Sequence, residues 1–132
     1  VEFFGELKAF IGALVATTGV PLDRVYIEAV PNQSAAKPYI VIKEISNVGS
    51  HNRDCPDGVA RPHEEIGCYA VSYTQAHSIY KVIKAALDGY KGAMGALPRV
   101  ECRYNDKSDD HGGEVPPAWY SVSPDFYFNY KE

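Results

Sequence analysis

The chain has 132 residues, 45% of them hydrophobic and 23% charged, with a formal net charge of −4. That length can bury one core without disulfide staples, and the composition excludes a disordered polyelectrolyte and a protein that grips a nucleic-acid backbone through a basic face. Ten tyrosines suit strands and interfaces, where an aromatic body with a polar tip has one dry side and one wet side.

From the N-terminus, Phe3, Phe4, Leu7, Phe10, Ile11, Leu14 and Val15 recur at three- and four-residue intervals and predict one helical stripe, ended by Gly19 and Pro21. Glu2, Glu6 and Lys8 interrupt that pattern, so it lacks the uninterrupted run of a signal peptide. No stretch approaches the roughly 18 apolar residues of a membrane span. A short strand is expected at 25–30, a connection at 31–38, and a β-branched-rich strand at 39–45. In the latter, Ile40 and Ile42 face one way and Val41 and Lys43 the other. Residues 48–62, VGSHNRDCPDGVARP, form a polar loop with no periodicity, and loops of that length in compact domains are usually functional.

A third strand is expected at about 65–73, with Thr74 as N-cap of a helix that places Ala76, Ile79, Tyr80, Ile83, Ala86 and Leu87 on one face. Gly89 is its expected left-handed stop. A glycine-containing linker at 91–98 then leads to a fourth strand at about 99–105, and 106–118 reads as a second long polar loop. The last strand, 119–130, alternates: Tyr120, Val122, Phe126, Phe128 and Tyr130 share one face, with Trp119, Ser121, Ser123 and Asp125 opposite. Pro124 cannot donate to a ladder, which predicts an edge position or a bulge. The expected architecture is α+β in two layers: a small, largely antiparallel sheet packed against two amphipathic helices, one domain over 1–132.

Candidate chemistry is sparse. Cys55, Cys68 and Cys102 are odd in number and lack C-x-x-C spacing, which favours a reducing compartment. His51, Cys55 and His63, with Asp54 or Asp57, are candidate metal ligands, but H-x-x-x-C matches no common zinc signature and solvated loop residues are the simpler reading. Cys68 with His77 is a weaker pair, since a mid-strand thiol usually acts as a small hydrophobe. The acidic run Asp106, Asp109, Asp110 and Glu114, beside His111, lacks the glycine and closing glutamate of a calcium loop. Gly112-Gly113 does not open a helix, so no phosphate cradle is expected. No catalytic, cofactor or metal residue is assigned. Phe126 and Phe128 read as core, and Trp119, Tyr127 and Tyr130 as exposed interface anchors.

Three words carry a further signal: IGCYAVSYTQA, KAALDGYKG and WYSVSPDFYF, supported by VYIEAVPNQSAAKPYIVIKEIS upstream. Together, in order and spacing from about Val25 onward, they resemble the tail terminator family of long-tailed phages and gene transfer agents, also called tail completion or tail-to-head joining proteins. The resemblance implies an α+β domain without enzymatic activity or cofactor. It implies a homo-oligomer, a hexameric ring between the tail tube protein and the head-side connector or stopper protein, with DNA only as transiting cargo and no membrane. The place implied is the tail or neck of a virion or phage-like particle, assembled in the bacterial cytoplasm.

On that reading the two long loops and the last strand supply the interface residues: His51, Arg53, Asp54, Asp57, Asp109, Asp110, His111, Trp119, Tyr127 and Tyr130. Because no basic cluster is visible in the sequence, the channel surface of such a ring is expected to be net acidic. The chain departs from the family pattern by an enlarged insert at 111–118 and by proline at 124. The residues alone leave two alternatives open: a small cytoplasmic enzyme or ligand-binding α+β domain with a pocket between helices and sheet edge, or another neck or tube component.

Overall fold

In the computed structural model the described residues are 3–14, 18–28, 37–47, 59–112 and 119–131, the side chains of Asn47, Val59, Ala60 and Lys131 apart. In chain order they form helix α1 (Phe3–Gly12), strands β1 (Val25–Ile27), β2 (Tyr39–Asn47), β3 (Val59–Ala60) and β4 (Pro62–Ala70), helix α2 (Tyr73–Leu87), and strands β5 (Lys91–Met94), β6 (Leu97–Gly112) and β7 (Trp119–Lys131). One sheet takes all the strands in the order β1-β2-β4-β7-β6-β5, with β3 beside β7. β3 continues the register of β4 on β7, since Ala60 opposes Tyr130 and His63 opposes Tyr127. The β1–β2 pair is parallel and the other described pairings are antiparallel, so the fold is α+β.

Period-two alternation sorts each strand between two environments. On β4, Glu64, Ile66, Cys68 and Ala70 are buried while His63, Glu65 and Tyr69 are half-buried. On β7, Val122, Phe126, Phe128 and Tyr130 turn the same way into one cluster with Ile40, Ile42, Ile66, Val100 and Cys102. Both helices close over that face. α2 packs on β4 and β7, while α1 meets the two edge strands β1 and β5, which curls the sheet around the core. α1 contributes Leu7 and Ile11, fully buried, and Phe3, whose ring stacks on Tyr130 at 4.7 Å and meets Phe128 edge-on at 5.1 Å.

Local chemistry explains the joints. The helix α2 begins two residues earlier than its sequence suggests: Ser72, not Thr74, is the N-cap, and its Oγ accepts from the Gln75 N–H at 3.2 Å. Gly89 takes the expected left-handed φ of +76°, and its N–H donates to the Cys102 carbonyl, which ties the helix end to β6. Between β5 and β6, Gly95 has φ +58° and the Ala96 N–H donates to Glu6 Oε2 at 2.7 Å. A side chain at 95 would meet that carboxylate, so glycine allows α1 to cap the turn.

Four expectations change. The linker at 91–98 contains strand β5, and β6 runs on through the stretch read as an acidic loop as far as Gly112. β4 starts earlier and stops at Ala70. Pro124 lies on a central strand, not an edge, because β7 has β4 on one side and β6 on the other. Proline is tolerated there because the β4–β7 ladder skips it, with pairs at Glu65–Asp125 and Cys68–Val122 and none between. The bulge falls instead on β6, where Asn105 is the extra residue between Tyr104–Phe126 and Asp106–Asp125.

Among the described residues, one carboxyl group sits within the core. Glu64 is fully buried, and neither carboxylate oxygen has a hydrogen-bond partner. It opposes Glu44 on β2 and Phe126 on β7, and Glu28, after β1, accepts the Glu44 N–H at 3.2 Å. Burial first, then the charges of Glu44 and Glu28, pushes the Glu64 carboxyl from 4.5 up to about 8. Between those values the folded chain holds a proton that the unfolded chain releases. Stability therefore falls as pH rises through this window, by up to about 1.4 kcal/mol per pH unit.

Glu64→Gln mimics the protonated form and removes that slope. Urea melts should give near-equal stability for the two proteins at pH 4.5, and a more stable variant at pH 8, with the gap widening between. Parallel pH profiles would show that Glu64 is ionised in the fold. For the helix cap, Ser72→Ala should lower the same urea stability by about 1 kcal/mol, whereas Thr74→Ala should have a smaller effect.

Candidate functional site

The face of the sheet opposite both helices carries the candidate site. Register assigns its side chains, since residues directly opposite share a face. Tyr39 and Lys43 come from β2, His63, Glu65 and Tyr69 from β4, Trp119, Ser121, Asp125 and Tyr127 from β7, and Glu101 and Arg103 from β6.

Two aromatic groups stand on this face. In one, Tyr26, Tyr39, Tyr69 and Trp119 form a row across four strands. Successive ring centroids are 5.9, 5.0 and 5.6 Å apart. Their mutual packing dries the row, and burial raises the hydroxyl pKa of Tyr39 and Tyr69 above the usual 10.0. The Trp119 ring lies over Gly112, where any side chain would collide with the indole. In the second group, Tyr127 is held between His63, stacked at 4.1 Å, and Arg103, whose guanidinium is 4.7 Å from the ring centre. His63 Nε2 lies 2.5 Å from Asp125 Oδ2, which also accepts from Asn105 Nδ2 at 2.8 Å.

Beside Tyr127 a cavity of about 370 Å³ opens, lined by Arg61, Lys91, Glu101, Arg103, Asn129 and Phe128 among others. Lys91 and Arg99 each lie 3.8 Å from Glu101. The absence of a basic cluster read from the sequence is thus corrected: cations from β4's entry, β5 and β6, up to 42 positions apart in sequence between Arg61 and Arg103, converge on one place. Net acidity of the whole chain concealed it.

Of the residues singled out from sequence, His51, Arg53, Asp54 and Asp57 lie outside the described residues, as do Cys55 and Glu114. Trp119 and Tyr127 are half-buried on the open face. Tyr130 is not an exposed anchor but a core residue, 8% exposed, because it shares the face of Phe126 and Phe128. Asp109, Asp110 and His111 lie on β6, not in a loop. Asp109 turns to the helix side, bonded by Lys107 Nζ at 3.0 Å and by the Tyr73 hydroxyl at 3.2 Å, while Asp110, opposite Ser121, turns to the open face. Neighbours on a strand point apart, so this acidic run does not converge on a cation. Among the described residues no cluster of metal-binding side chains occurs.

A thiol–imidazole pair does not form between Cys68 and His77. Cys68 is fully buried, its Sγ donates to the Ile66 carbonyl at 3.7 Å, and burial drives its pKa far above that of an ordinary thiol. The His77 ring packs instead against Tyr73 and Tyr80. Cys68 and Cys102 are both buried and free. No described helix is long and apolar enough to cross a membrane.

Comparison with known proteins gives the fold and the family. A solved chain described as "Virion of native gene transfer agent (GTA) particle" has the same fold, with a TM-score of 0.65 at 16% identity, over 98% of this chain and 91% of that one. No curated protein matches in sequence. The family model described as "Tail completion protein gp17" matches residues 6–128, nearly the whole chain, and the protein belongs to that family.

Proposed function

We propose that this chain is a structural component of a phage-like or gene transfer agent tail. In this role its copies form a hexameric ring that closes the tail tube and joins it to the head-side connector or stopper protein. The observation that carries the reading is the family match over 6–128. The fold it shares with a chain of a gene transfer agent virion supports it. So does the open sheet face, where Tyr69, Trp119 and Tyr127 are partly dry without a described layer above them. Aromatic bodies held rigidly by their neighbours lose little entropy on contact and make effective interface anchors.

DNA is cargo on this reading. A net charge of −4 lets a ring surround duplex without holding it, because a negative lumen repels phosphate. No catalytic step is required of any residue. Glu64, Cys68 and Cys102, the groups with the strongest shifts toward their neutral forms, are all buried in the core.

Tail tubes purified from particles lacking this protein should be open-ended and unable to join heads. Adding the purified chain should cap them with a ring-shaped density in negative stain and restore joining. Tubes that stay uncapped at saturating protein would overturn the reading. In the same preparation, fluorescence anisotropy with duplex DNA should show weak binding at physiological salt. Tight binding that falls steeply with added salt would instead reveal several phosphate contacts.

A further inference from the structure

The open face of β6 carries opposite charge at its two ends, and the bulge at Asn105 is the reason. Arg99, Glu101 and Arg103 alternate onto this face, where Glu101 and Arg103 oppose Asn129 and Tyr127. A regular strand would next present Asn105, Lys107 and Asp109. The extra residue shifts the phase by one, so Asp106 opposes Asp125 and Asp110 opposes Ser121, and both carboxylates reach the open face. Lys107 and Asp109 turn instead to the helix side, where Lys107 lies 5.7 Å from the Tyr80 ring. The result is a basic cavity at Lys91 and Arg103 and an acidic stretch at Asp106 and Asp110 on one surface.

These two ends do not neutralise each other within one molecule. At about 3.3 Å per residue, Asp106 stands on the order of 10 Å from Arg103 along the strand and Asp110 on the order of 20 Å, both beyond a direct ion pair. Asp106, Asp110 and Arg103 are exposed, and Lys91 is two-thirds exposed. β5 pairs with β6 only as far as Glu101, and the end of α2 continues along that side to Cys102 and Tyr104 through Gly89, Tyr90 and Asp88; from Asn105 on, the outer side of β6 has no strand partner among the described residues. An exposed edge beside complementary charges is a surface suited to a neighbour.

We propose that the acidic stretch of one copy, Asp106 and Asp110, docks into the basic cavity of the next copy at Lys91 and Arg103. This inference rests on the ring reading and supplies its subunit contact. The contact joins two different patches, so it is heterologous and propagates around a ring when its rotation closes. A second copy is the occupant the charges favour, because the carboxylates that complement Lys91 and Arg103 are carried by this same chain, at Asp106 and Asp110 on the same face. The chain's own net charge opposes DNA.

Two charge-reversed proteins test it: Lys91→Glu with Arg103→Glu, and Asp106→Lys with Asp110→Lys. Circular dichroism checks that each is folded, and native mass spectrometry and sedimentation, with and without tail tubes, read assembly. Each should need at least tenfold more protein than wild type to form rings. Mixing the two makes both junctions complementary, acidic patch of the first against basic cavity of the second and reversed patch of the second against reversed cavity of the first, and should give alternating rings that neither forms alone. Combining all four substitutions in one chain exchanges the charges across the contact and should restore rings, which also shows that the reversed surfaces fold. If either folded double variant assembles like wild type while wild type forms rings, the docking is wrong and the ring stands. If wild type forms no ring even on tubes, the ring reading itself fails. Rings retained by Lys91→Glu/Arg103→Glu, together with lost duplex-DNA binding, would make the cavity a phosphate site and overturn the proposal.

Discussion

The pairing of β6 with β7, continuous from Val100–Tyr130 to Gly112–Trp119 apart from the bulge at Asn105, decides which side chains reach the core and which reach the open face. β7 is central and is paired on both sides, so its alternation propagates to β4, β2 and β6 through residues directly opposite. Phe126, Phe128 and Tyr130 set the floor on which α1 and α2 pack, and Tyr127 and Asp125, one position away in each case, organise the opposite surface. A one-residue slip in this pairing would exchange the two sets.

The same arrangement accounts for the least favourable group in the core. Glu64 occupies an inward position of β4 between Ile66 and Pro62, opposite the exposed Glu44 of β2, so the register that buries Ile66 and Cys68 also buries a carboxyl group. The fold accommodates it by holding it neutral across much of the physiological range, since protonation removes most of the desolvation cost. Cys68 and Cys102 behave alike as neutral, buried thiols. Among the described residues, the buried carboxyl and thiols of the core are thus held neutral and away from solvent. The surface that differs from an ordinary solvated sheet is the open face, with its dried tyrosines, the sandwiched Tyr127 and its divided charge.

Much of the scaffold was legible from local pattern. The stripes of α1 and α2, the split of Ile40 and Ile42 from Val41 and Lys43, and the two faces of β7 follow from periodicity alone, because amphipathic order reports burial directly. The candidate site was legible only in part. Trp119 and Tyr127 stand where an interface anchor would, but Tyr130 belongs to the core set that its own alternation had already assigned. His63 was weighed as a metal ligand, yet Asp125 and Tyr127, 62 and 64 positions away, are what hold its ring.

By itself the sequence determined the helices, the faces of the apolar strands and, through the order of its words, the family. Those properties depend on near neighbours. The tertiary structure alone decided that the polar run Asp106–His111 is a strand, because β7 offers it a ladder of backbone partners and backbone groups pair without regard to side-chain polarity. It alone decided the phase of that strand, since one extra residue at Asn105 is opposed by none on β7. It brought Arg61, Lys91 and Arg103 around one cavity and buried Glu64, because charges distant along the chain become neighbours only once the strand order is set.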